Sequence, residues 1–90
     1  MTKETFDNVF DAISDTPEEA LNLKLRAALM HQLSNIIAEN EWTQTEAAHH
    51  LGVTQPRISD LLRGKLSLFS LDMLVNMVAA TGRKVTLEVA

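Results

Sequence analysis

Cysteine is absent from the 90 residues, which excludes disulfides and thiolate-bound metal and leaves the redox compartment unmarked. Long apolar runs are absent as well. Lys24, Arg26, His31 or Asn76 interrupts each of them too soon for a membrane span. The first residues, MTKETFDNVFD, do not set basic residues ahead of an apolar block as a secretory leader does. There is no glycine-rich phosphate loop, no nucleophile beside a plausible base, and no cluster of carboxylates spaced for a metal. The expectation is a soluble, cytoplasmic protein without membrane contact, not an enzyme, and needing no metal or cofactor.

What is present describes one small globular domain over residues 1–90. Hydrophobic residues make up 46% of the chain, enough for a single core at this length. The net charge of −4 is unevenly spread. Residues 1–41 carry eight acids against three basic side chains, a balance of −5, whereas 42–90 carry four acids against five, a balance of +1. Within 54–65, Arg57, Arg63 and Lys65 face only Asp60. The chain as a whole is therefore a poor nonspecific ligand for nucleic acid, but one local patch can meet phosphate.

Helix signals follow one another along the chain. Phe6, Val9, Phe10 and Ile13 have the spacing of a short amphipathic helix. TPEE at 16–19 reads as a cap, an N1 proline and acids for the first turn, opening a helix to about residue 40. That helix has two apolar stripes: Ala20, Leu23, Ala27, Met30, Leu33 and Ile37 on one, and Leu21, Leu25, Ala28, Leu29 and Ile36 on the other. Two stripes fit either central burial or a second surface to cover. TQTE at 43–46 is a capping box, with Trp42 and Ala47 placed as a hydrophobic staple, and Gly52 ends the helix it starts. Thr54 caps the next helix, which tolerates Pro56 in its first turn and stops at Gly64. Phe69-Ser70 opens a last helix that reaches Gly82, and KVTLEV at 84–89 alternates like a strand. With no partner strand elsewhere, 84–89 would pair with a second copy across a two-fold axis, or else be a solvated terminus.

On a helical wheel, Ile58, Leu61 and Leu62 share a face expected to be buried. Pro56, Asp60 and Arg63 lie opposite, Arg57 and Ser59 on the flanks, and Gln55 in the exposed first turn. A short polar helix is thus pushed outward from Ala47, Ala48 and Leu51, the arrangement needed to enter the major groove. Gln44, Ala48, Gly52, Val53, Ile58 and Leu61 match the helix-turn-helix of the phage-repressor-like (XRE) family position for position. The stretch VTQPRISDLLRGK at 53–65 resembles that family's recognition helix and exit loop, and the likeness continues through 68–74. The acidic helical part at 1–40 and the 84–89 strand further resemble small HigA-type antitoxins.

The resemblance implies an all-α, five-helix, lambda-repressor-like domain with a short C-terminal β-strand, and a homodimeric repressor of an operator in double-stranded DNA. In a bacterial-type cell it would be nucleoid-associated when bound. Gln44 and Thr54 would meet backbone phosphate. Gln55 would read adenine, Arg57 guanine and Asp60 cytosine, with Ser59 on the flank of the same surface. Pro56 offers only apolar contact to a thymine methyl group, and Arg63 and Lys65 bind phosphate. Alternatively, Arg57 pairs with Asp60 and both only orient. The HigA likeness adds a cognate toxin as a partner and an operon regulated by its own product. The competing reading is an interaction module that neutralises a partner without binding DNA. His49 and His50, being adjacent, are expected as surface residues, His31 as half-buried, and Met30, Met73 and Met77 as core filler.

Overall fold

Thr16 begins the first described helix, as the TPEE signal implies. The structure, a computed structural model, describes residues 16–90. Thr16 Oγ1 accepts the Glu19 amide hydrogen at 3.1 Å, and α1 runs over Pro17–Glu39. Thr43 caps α2, Gln44–Leu51; Thr54 caps α3, Gln55–Leu62; Ser70 caps α4, Leu71–Ala80. A 3-10 turn at Leu66–Leu68 joins α3 to α4. Each of these caps accepts a backbone N–H three residues on, satisfying a donor that the helix itself cannot.

The expected five helices with a terminal strand are corrected. Among the described residues there are four α-helices and no strand. The helix expected at 6–13 lies outside the described residues. Residues 83–90 carry no regular structure. Alternation there sorts side chains to two sides but supplies no neighbouring ladder, and a strand exists only by pairing. Val85 packs on the core, Arg83 pairs with Glu39 at 3.8 Å, and Val89 is 97% exposed. Strand pairing as a route to a dimer is withdrawn with the strand.

One core holds the helices together. Met30, Leu33, Ile36 and Ile37 of α1 meet Ala47, Ala48 and Leu51 of α2, Ile58 and Leu61 of α3, Phe69, and Leu74, Met77 and Val78 of α4. The first stripe of α1 therefore faces inward. The second is buried only at Ile36; Leu25 and Leu29 are half-buried and Leu21 is 59% exposed. At 23 residues α1 is roughly 34 Å long, far longer than the ten-residue α4 and eight-residue α3 it packs on. Two other expectations change. Leu62 is 42% exposed rather than buried, and His31 is exposed rather than half-buried.

The turn from α1 to α2 contains a residue that sequence patterning does not reveal. Glu41 has φ +54°, in the left-handed region, while the Trp42 amide donates to Ile37 O and the Glu41 amide to Ala38 O. This is the hydrogen-bond pattern of a Schellman terminator, whose left-handed position ordinarily holds glycine. Glu41→Gly is expected to stabilise the domain by about 0.5–1 kcal/mol, the left-handed penalty of a side chain less the added unfolded-state entropy. A rise in the urea midpoint at unchanged slope checks it, and Glu41→Ala should give no such rise.

Candidate nucleic-acid interface

The capping box of α2 is complete. The Thr43 amide donates to Glu46 Oε1 at 2.9 Å, and the Glu46 amide donates to Thr43 Oγ1 at 3.1 Å. The bond from the Thr43 backbone, then that from its side chain, holds the Glu46 carboxyl below its ordinary 4.5; the charge of His50 adds a smaller pull the same way. A carboxyl depressed by folding contributes stability above its unfolded pKa and loses it as pH falls through the folded value. Acid unfolding from just below pH 4.5 should therefore be shallower in Glu46→Gln than in the parent when denaturation midpoints are compared across pH. Trp42 completes this corner. Its indole packs on the core and stacks on His50 at 4.1 Å, while His49 and His50, both exposed, meet edge-on at 5.8 Å.

Gly52, with φ +70°, reverses the chain between α2 and α3. The Val53 amide donates to Ala48 O at 3.0 Å and Val53 leans on the core. This closely packed turn brings the N-terminal ends of α2 and α3 to the same surface. There Gln55 Nε2 donates to Gln44 Oε1, a bridge across 11 residues between two exposed side chains. Thr54 Oγ1 accepts the Arg57 amide hydrogen at 3.3 Å, so its hydroxyl serves the helix first. Pro56 is exposed beside Gln55, and Ser59 is half-buried on the flank.

The charged residues of α3 divide between two sets of contacts. Asp60 lies 3.8 Å from Lys65, not against Arg57, so the pairing of Arg57 with Asp60 anticipated as one alternative is not formed. Arg57 is half-buried: its Nη1 donates to Leu68 O at 3.0 Å and its guanidinium lies 5.4 Å from the centre of the Phe69 ring. Arg63 forms the C-cap of α3 and is exposed. Gly64, with φ +71°, closes the helix while the Lys65 amide donates to Asp60 O. Gln44, Thr54, Gln55 and Pro56 thus share the two helix starts, Arg63 and Lys65 follow the end of α3, and Arg57 turns toward the loop at 66–69. Arg26 was missed from sequence. It reaches from α1 to the carbonyls of Leu66 and Phe69 at 3.2 and 3.0 Å.

Two short helices joined at a glycine, the second presenting polar side chains outward, describe one kind of domain, and a family model described as a helix-turn-helix domain matches residues 9–90. The chain belongs to the helix-turn-helix domain family. No curated protein matches it. In this helix-turn-helix, α2 is the supporting helix and α3 the presented one, and the family points to a DNA-binding regulator. Among the described residues no helix is long and apolar enough to cross a membrane.

Proposed function

We propose that this chain is a sequence-specific DNA-binding repressor that acts by occupying an operator rather than by catalysis, and so works in the cytoplasm. The observation that carries this reading is the Gln55–Gln44 bridge on the exposed edge of the helix-turn-helix. An amide nitrogen has two hydrogens. The bridge uses one from Gln55, leaving its second hydrogen and its Oε1, the donor and acceptor that adenine N7 and N6 require. The Gln44 amide hydrogens are left for a phosphate at the start of α2, where the helix dipole favours an anion. Thr54 borders the same phosphate, Pro56 can meet a thymine methyl group, and Ser59 and Asp60 lie farther along α3. Arg63 and Lys65 add positive charge where α3 ends.

Selection from a pool of randomised duplexes, followed by gel shifts across a salt series, tests this. A shared motif should emerge, and affinity should fall steeply with salt. A single copy covers one half-site, so the reading includes a homodimer on a near-palindrome with half-sites ~34 Å apart; a monomeric mass for the DNA complex by light scattering would contradict it. The finer reading is an antitoxin that represses its own operon. It draws on the acidic balance of residues 1–41 and on the outward stripe of α1 with Leu21 exposed, a surface suited to a basic toxin. Failure of a neighbouring gene's product to co-purify with the chain would count against that. The net charge of −4 and the position of Asp60 favour the other reading, an interaction module; absence of any binding at every salt concentration would support it over the repressor.

A further inference from the structure

The passage from α3 to α4 is held from two sides by arginines that the sequence does not connect. From α1, Arg26 Nη1 donates to the carbonyls of Leu66 and Phe69, while its Nε is tied to Asn22 Oδ1 at 2.7 Å. From the first turn of α3, Arg57 Nη1 donates to the carbonyl of Leu68 and its guanidinium carbon lies over the ring of Phe69, which is 1% exposed. Three of the four main-chain carbonyls at 66–69 thus accept from a guanidinium. Such bonds are charge-assisted, and the planar fork with its aromatic neighbour is something lysine cannot reproduce. To reach a base edge, Arg57 would have to leave both Leu68 O and the Phe69 ring.

We propose that Arg57 is a positioning residue of the DNA interface and not a base reader: with Arg26 it clamps 66–69 and so holds the phosphate-facing stretch at 63–65 in register with Gln55. This rests on the DNA-binding reading, which it deepens. Loss of the clamp lets the end of α3 and the loop behind it drift, weakening every duplex alike. A base reader would instead matter at one base pair. A phosphate contact would matter through charge, contributing close to 0.9 to the salt slope.

The test uses Arg57→Met and Arg26→Met, which keep the aliphatic stems, together with Arg57→Lys. Affinities are measured for the selected duplex and its single-base variants across a salt series, and amide hydrogen exchange is measured on the free proteins. Both methionine variants should weaken all duplexes by about the same factor, roughly tenfold, with base preference and salt slope unchanged. Leu68 and Phe69, whose amides donate to Lys65 O and Leu66 O, should exchange faster in both. Arg57→Lys should recover little of the lost affinity. Collapse of preference at one base pair in Arg57→Met overturns the proposal in favour of a reader. A salt slope reduced by about 0.9 and rescued by lysine overturns it in favour of a phosphate contact. If the parent chain selects no duplex, the DNA-binding reading fails by itself. The exchange data still judge the clamp separately, since unchanged exchange in both variants rules it out.

Discussion

Phe69→Ala is expected to cost about 3–5 kcal/mol of stability, a large part of what a domain of this size possesses. Phe69 precedes the Ser70 cap, and with Leu74 it forms the staple that sets the angle of α4. Its ring is also the floor beneath Arg57, a contact worth a further ~0.5–1 kcal/mol while the guanidinium stays open to solvent. Removing the ring leaves a hole bordered by helices that all depend on one core, and they cannot close over it independently. Far-UV circular dichroism should show a urea midpoint far below the parent's. Phe69→Leu should lose less than about 1.5 kcal/mol, because much of the buried volume is kept.

Gln55→Ala carries the second large effect, on binding rather than folding. Gln55 is exposed, so thermal stability should change little. A bidentate contact to adenine discriminates by about 1–3 kcal/mol, roughly 5- to 150-fold in affinity. The loss should be concentrated at one base pair, where the variant becomes indifferent. Gln44→Ala should weaken all duplexes more evenly, because it removes the proposed phosphate contact and the brace that orients Gln55. Since the two side chains are bridged, the double variant should lose less than the two single losses combined. Gel shifts with duplexes altered one base pair at a time measure both effects.

The helix starts were legible in the sequence because capping is local chemistry. Thr16, Thr43, Thr54 and Ser70 need only an amide three residues away, and each finds it. The sharp turn at Gly52 and the burial of Ala47, Ala48, Ile58 and Leu61 were legible for the same reason, as spacing within one or two short helices. What spacing cannot show is where an element runs out of neighbours. Leu62 stands roughly 70° from the midpoint between Ile58 and Leu61 on the wheel. As the last residue of α3 it borders a shallow groove with Ala27, Met30 and His31 instead of the core. The alternation at 84–89 was real, but a strand needs a partner that the described chain does not provide. Arg26 was illegible because its acceptors lie 40 and 43 residues away, and they are backbone carbonyls, which no side-chain pattern marks. Arg57 was legible as a flank residue, and its partner was not. Glu41 hid in the same way, since a left-handed backbone at a glutamate has no signature in composition.

On the proposed function, the outward edge formed by the starts of α2 and α3 lies against DNA. It is tested most directly by following backbone and side-chain amide resonances while the selected duplex is titrated into the labelled protein. The largest shifts are expected at the side-chain amides of Gln44 and Gln55 and at the backbone amides of Thr54, Gln55 and residues 63–65, with the outer stripe of α1 around Leu21 and Ala28 unmoved. Shifts confined to α1, with both glutamine side chains unchanged at saturating duplex, would contradict it.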